Sequence, residues 1–245
     1  MLKNGGLLKY IYNTIVCGCS QKNIAVIFDM DGVIFDSEKL SLICWNILAE
    51  KLNLKNIENV FFECIGASVL EAEQKFNIAY KNKHNFKDFK REKTELYKQM
   101  YENGKLCLKP GVIEILLFLK ERGIKIGLAT STKAAVVNRE LEDYNIKQYF
   151  DVIICGDMVE KCKPSPDVYL KACDALECKP EFCYAIEDSY NGIIAAKRAR
   201  TNVIMVPDLV QGDDLEDKSS VIIMQSLFDV IDYLKSVLNG EKLNE

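Results

Sequence analysis

Histidine is nearly missing from this chain: its 245 residues include one, His84, in a lysine-rich polar stretch where it reads as solvated surface. Ten cysteines are present, yet none forms a Cys-x-x-Cys pair, and Cys173, Cys178 and Cys183 recur every five residues. That spacing does not match a zinc site. Free, mostly buried thiols in a reducing cytosol account for it, so a cytoplasmic protein is expected. No apolar run approaches the ~18–20 residues that span a bilayer, so no membrane partner is expected. A net charge of −4 is too mild for a nucleic-acid binder and argues against that partner class. Internal repeats and low-complexity segments are also absent.

What is present is ordinary in bulk. With 49% hydrophobic and 28% charged residues, the chain can bury a real core, and its length suits one domain carrying a sizeable insert. Residues 1–22 read as an N-terminal extension. Leu7 to Val16 is apolar but broken by Lys9 and Asn13. Val16-Cys17-Gly18-Cys19 faintly resembles a lipoprotein cleavage box, but the apolar run before it is poor and short.

The most informative stretch begins at Ile24. Ile24 to Phe28 is an unbroken apolar run rich in branched side chains, the pattern of a strand buried on both faces. It stops at Asp29, and Asp31 and the turn residue Gly32 follow. Residues i and i+2 of an extended segment point to one side, so two carboxylates converge where open α/β sheets place their active sites. Like charges that close repel unless a cation sits between them or one takes a proton.

After Asp36-Ser37 the pattern turns helical. Leu40, Ile43, Cys44, Ile47, Leu48 and Leu52 recur at helical spacing, and further helices are predicted near Val69 to Tyr80 and Phe86 to Tyr101. No strand is predicted between residues 38 and 103. This gives a helical insert over 37–103, long enough to be a small domain, and a core built from 23–36 and 104–245. In the core, predicted strands Ile124–Leu128, Val152–Ile154, Phe182–Ile186, Val203–Val206 and Val221–Met224 alternate with helices. Alternation of this kind implies an α/β fold, a Rossmann-like parallel sheet wrapped on both faces.

Three more strand ends carry polar groups suited to one task. Ala129-Thr130-Ser131-Thr132-Lys133 offers hydroxyls and backbone N–H groups where a helix starts, a natural phosphate cradle. Lys163, set between Cys162 and Pro164, can neutralise a phosphoryl oxygen. Glu187 and Asp188 end a buried strand, where paired acids are costly without a cation, and Mg²⁺ favours such oxygens. Taken singly, these are turn acids, a capping hydroxyl, a surface lysine and an acidic loop. Taken together, coincidence explains them poorly.

Motif order, spacing and cap position from about Ile24 to Leu238 resemble the haloacid dehalogenase-like hydrolase superfamily, in its helical-cap phosphatase and beta-phosphoglucomutase group. The resemblance implies an Mg²⁺-dependent phosphatase acting on a small phosphorylated metabolite through an aspartyl-phosphate. Asp29 would be the nucleophile and Asp31 the general acid and base. Thr130, Ser131 and Lys163 would hold the phosphoryl group. Asp29, the Asp31 carbonyl and Asp188 would hold the metal, with Glu187 supporting it. Asp31 also separates this group from the dehalogenases proper, whose leaving halide needs no proton. A monomer or weak dimer is expected.

Two alternatives stand beside the phosphatase: a phosphosugar mutase, and a binding protein on an inactive scaffold. The mutases carry a cap histidine where this chain has Ser41 and a cap arginine near Val69, and both are missing here. The full set of acids, hydroxyl and lysine argues against an inactive scaffold. The chain also departs from the family at Cys162 and Arg200, where glycine is usual. Arg200 would tolerate a left-handed conformation less well than glycine.

Overall fold

The computed structural model describes residues 24–65, 69–209 and 220–240. The N-terminal extension with its cleavage-box-like stretch and the tripeptide Gly66-Ala67-Ser68 lie outside the described residues. Six strands form one sheet: β1 Ala25–Phe28, β2 Lys125–Ala129, β3 Val152–Ile154, β4 Cys183–Glu187, β5 Asn202–Met205 and β6 Val221–Ile223. Their order is β3-β2-β1-β4-β5-β6, and every pairing is parallel. The chain builds outward from β1 to β3, then crosses back to place β4 on the other flank of β1. That reversal opens a crevice at the carboxyl ends of β1 and β4.

Alternation along β1 divides the core into two layers. Val26 and Phe28 face one cluster, where α5 (Val112–Glu121), α6 (Ala134–Asp143) and α9 (Leu227–Asn239) contribute Ile115, Leu119, Val137, Leu141, Val230 and Leu234. Ala25 and Ile27 face the other, where α7 (Asp167–Ala175) and α8 (Tyr190–Arg198) contribute Val168, Tyr169, Ala172, Ile193 and Ala196. All four residues of β1 are fully buried, as the apolar run requires.

Between β1 and α5 lie four helices: α1 Ser37–Leu52, α2 Ile57–Cys64, α3 Val69–Ala79 and α4 Phe86–Glu102. They have their own core, an aromatic cluster around Trp45 and Phe76. The Trp45 ring meets Phe61 and Phe89 edge-on at centroid distances of 5.3 and 5.0 Å. Phe76 lies 4.8 Å from Phe89 and 5.3 Å from Phe86. Each such pair adds about 0.5–1.5 kcal/mol beyond area burial. The two chain crossings into this unit run side by side: Asp36 N–H donates to the Cys107 carbonyl, and Lys109 N–H to that of Ile34, both at 2.9 Å.

Helix α2 was not anticipated. Asn53 and Asn56, which flank its approach, both adopt left-handed φ values (54° and 57°) that asparagine tolerates better than most residues. They end α1 and turn the chain into a second short helix. Arg200 does take the left-handed conformation, with φ of 64°, just beyond α8. Among the described residues no helix is long and apolar enough to cross a membrane. His84 is half-buried rather than solvated, its ring 6.2 Å from that of Tyr80.

Candidate active site

Asp29 is the first residue beyond β1, and its N–H donates to the Ile186 carbonyl of β4 at 2.9 Å. Glu187 ends β4 and Asp188 follows it, so both parallel strands deliver carboxylates to the same crevice. Side-chain oxygens of Asp29, Glu187 and Asp188 lie within 4.8 Å of one another, and all three residues are buried. Lys163 closes the cluster. Its ammonium donates to Asp29 Oδ1 at 2.6 Å, to Glu187 Oε1 at 2.6 Å and to the Ala129 carbonyl at 2.9 Å. The Tyr169 hydroxyl donates to the same Glu187 oxygen at 2.5 Å. Glu187 Oε2 accepts from the Asp188 and Ser189 amides and from the Ser189 hydroxyl.

Those contacts separate the roles open to the acids. Both Glu187 oxygens are engaged by protein donors, so it acts foremost as the anchor of Lys163. Asp188 and Asp29 are the carboxylates better placed to offer a cation an oxygen. Burial raises the Asp29 carboxyl to about 7 despite Lys163, with Glu187 and Asp31 pushing the same way. Burial likewise raises Asp188, aided by Glu187 and Asp29. Burial would lower Lys163, but the Asp29 and Glu187 carboxylates outweigh it and hold its pKa above the ordinary value. An excess of buried negative charge on hard oxygens suits a small divalent cation such as Mg²⁺.

Two glycines make the crowding possible. A Cβ on Gly32, whose φ is +78°, would come within 2.1 Å of Asp188 Oδ2. One on Gly192, in the first turn of α8, would meet the Glu187 carboxyl at 2.0 Å. Any other residue at either place would push an acid out of position.

Asp31 stands apart from the three clustered acids. Its Oδ1 accepts from the Ser37 hydroxyl and its Oδ2 from the Thr132 hydroxyl, each at 2.7 Å. Asp29 and Asp31 line one cavity, and two hydroxyls hold the Asp31 side chain there. Thr130 is buried, and its hydroxyl accepts from the Thr132 amide at 3.0 Å. Ser131 is exposed on the cavity wall. The loop expected to form a phosphate cradle leads directly into a helix. Helix α6 begins at Ala134, with Lys133 at its N-cap, and the Ala134 amide donates to Asp157 Oδ1 at 3.0 Å. The loop itself, not the helix end, faces the cavity.

That cavity measures about 520 Å³ and is shared by the core loops and the helical unit. Asp29, Asp31, Thr130, Ser131, Lys163 and Asp188 line its floor. Sequence reasoning missed two charged groups on its helical side, Glu38 and Lys93. Burial raises Glu38 to about 7, and Asp31 adds to the rise while Lys93 opposes it. Burial lowers Lys93, and Glu38 opposes that shift.

The sequence pattern of haloacid dehalogenase-like hydrolases matches residues 26–206. This chain belongs to that family. Among haloacid dehalogenase-like proteins, a phosphorylated carbohydrates phosphatase from Thermotoga maritima is 33% identical over 216 residues, covering 87% of this chain and 99% of its own. A beta-phosphoglucomutase from Bacillus subtilis is 33% identical over 188 residues, covering 71% and 79%. The solved structure of CbbY from Rhodobacter sphaeroides, a complex with xylulose-(1,5)bisphosphate, superposes with a TM-score of 0.64 at 28% identity, covering 83% of this chain and 94% of CbbY. The family thus spans hydrolase and mutase chemistry on one haloacid dehalogenase-like fold.

The residues that hold Asp31 and Glu187 in place gave little warning in the sequence. Thr132 lies 101 positions from Asp31, and Tyr169 lies 18 from Glu187. Only Ser37, six residues from Asp31, carried a local hint as a helix-start hydroxyl.

Proposed function

We propose that this chain is an Mg²⁺-dependent phosphatase that hydrolyses a small phosphomonoester through an aspartyl-phosphate on Asp29. The observation that carries this reading is the Lys163 ammonium 2.6 Å from Asp29 Oδ1, inside a buried cluster that includes Asp188. A carboxylate so paired is oriented and partly shielded, which a nucleophile meeting an anionic phosphate ester needs. Asp29 and Asp188 would hold the cation, with Glu187 keeping Lys163 in place. When bound, the cation supplies charge neutralisation on the phosphoryl oxygens.

In the first step Asp29 Oδ forms a bond to phosphorus while the ester P–O bond breaks. Asp31 gives its proton to the departing alkoxide. In the second step Asp31 takes a proton from water, whose oxygen attacks phosphorus and frees Asp29 and inorganic phosphate. The Ser37 and Thr132 hydroxyls hold Asp31 for both transfers. Thr130, Ser131 and Lys163 bind phosphoryl oxygens. The helical unit covers the floor as a cap and keeps bulk water from the intermediate.

Mutase chemistry is not favoured. Ser41 and Val69 both line the cavity, and neither offers the charged grip that a bisphosphate intermediate needs at its far end. The test is phosphate release from a panel of phosphomonoesters with Mg²⁺ and with chelator. Release that needs the metal and disappears in Asp29→Asn is expected. Release that survives Asp29→Asn contradicts the proposal.

A further inference from the structure

The phosphatase reading leaves open which alcohol departs, and the far wall of the cavity bears on it. Opposite the floor, the wall is formed by Trp45, Phe61, Ile65, Val69 and Ala72. Trp45 and Phe61 are both buried in the aromatic cluster. Val69 is 56% exposed and presents its side chain freely. The polar groups on this side are Glu38, Ser41 and Lys93.

The charges are equally one-sided. Asp29, Asp31, Glu38 and Asp188 line the cavity against Lys93 and Lys163. Asp31 enters the first step protonated, so one negative charge is left in excess, and a divalent cation more than cancels it. That cation and Lys163 then serve the transferred phosphoryl group. Among the described lining residues the remaining ammonium is Lys93, which shares the helical side of the cavity with the acid Glu38. The adjoining hollow offers no reserve: Glu63 and Glu71 line it with Lys75, whose ammonium donates to the Glu63 carbonyl. Among the described lining residues a second anionic group would find no cation besides Lys93, which stands beside Glu38, so its desolvation would be expensive.

We infer that the substrate carries one phosphate on an otherwise uncharged alcohol, which turns a hydroxyl toward Glu38 and Lys93 and an apolar flank toward Ile65, Val69 and Ala72. Bisphosphates and phosphorylated carboxylic acids are selected against. This rests on the phosphatase reading, and it narrows the substrate class differently from the sugar bisphosphate held by CbbY.

The test compares kcat/KM of the full chain with Mg²⁺ on five probes. These are p-nitrophenyl phosphate, a hexose 6-phosphate, its 2-deoxy analogue, a hexose 1,6-bisphosphate and phosphoglycolate. The two sugar monophosphates are expected to exceed the bisphosphate and phosphoglycolate by about 10-fold or more. Val69→Arg, which adds a cation at an exposed wall position, is expected to raise the bisphosphate relative to the monophosphate by about 10-fold. Bisphosphate or phosphoglycolate turnover equal to or above that of the monophosphates overturns the inference and leaves the phosphatase reading standing. An unchanged ratio in Val69→Arg overturns the charge argument. Silence on every probe, p-nitrophenyl phosphate included, overturns the phosphatase reading itself.

Discussion

The sheet-based core and the helical cap are held together by different physics. The core gathers Asp29, Glu187 and Asp188 at strand ends and stabilises them with one buried lysine and a ring of hydroxyls and amides. Its site is a charge-balancing problem solved by backbone position. The cap is a cluster of aromatic rings that holds four helices, with few polar groups reaching the cavity. On the proposed function, chemistry would belong to the core and selection to the cap. Substitutions in the two regions should fail in distinguishable ways.

Lys163→Met should have the largest effect. Removing the ammonium leaves Asp29 and Glu187 as unpaired buried carboxylates, which costs about 3–5 kcal/mol of stability. It also removes an electrostatic contact to the phosphoryl group, expected to lower kcat by about 10²–10³. Steady-state assays and denaturant unfolding check both effects. A variant that stays stable but inactive would show that the cluster is less buried than its contacts indicate.

Phe76→Ala should strike the cap alone. Phe76 is fully buried among Trp45, Phe86 and Phe89, and its loss is expected to cost about 3–5 kcal/mol. Hydrogen exchange should then show amides of α1 to α4 opening while the β1 and β4 amides stay protected. Equal loss of protection in both regions would mean that cap and core unfold as one unit, erasing the distinction.

A smaller effect is expected in the core away from the crevice. Glu140 on α6 is 2% exposed, with Arg139 3.6 Å away. Burial raises its carboxyl to about 7, with Asp31 adding to the rise and Arg139 opposing it. A carboxyl raised on folding favours the folded state below its ordinary pKa near 4.5, and that advantage is lost as pH rises through about 7. Glu140→Gln should therefore match the native chain near pH 4.5 and exceed it by about 1–3 kcal/mol at pH 8. Melting temperatures across that range check the sign. The smallest change is Arg200→Gly, which relieves the left-handed strain beyond α8 and should add about 1 kcal/mol, read as a shifted denaturant midpoint.

The same contrast decides what could be read from the sequence. In the core, the apolar runs of β1 and β4 stop abruptly at acids, so both the strands and the chemistry at their ends were visible together. Strand boundaries came within about two residues because buried parallel strands are continuous apolar runs. The arrangement around Asp31 was not visible, because the Thr132 hydroxyl arrives across the crevice through tertiary packing. In the cap, helical periodicity exposed three of the four helices. Helix α2, only Ile57–Cys64, was too short to show a period, and the paired asparagines that introduce it were the one local sign. Glu38 and Lys93 look like ordinary helix-surface charges in the sequence, and only packing of α1 against α4 brings them to one cavity.

On the proposed mechanism Asp29 carries the phosphoryl group between two half-reactions that share Asp31. A substrate with a good leaving group, such as p-nitrophenyl phosphate, needs no proton to depart, so Asp31→Asn should still form the intermediate but hydrolyse it slowly. Acid quenching of that variant during turnover, followed by mass spectrometry of its peptides, tests this directly. One phosphoryl group on the peptide containing Asp29, absent from the Asp29→Asn, Asp31→Asn double variant, is the predicted result. Phosphate release without any trapped phosphopeptide, or a phosphoryl group on another residue, would contradict it.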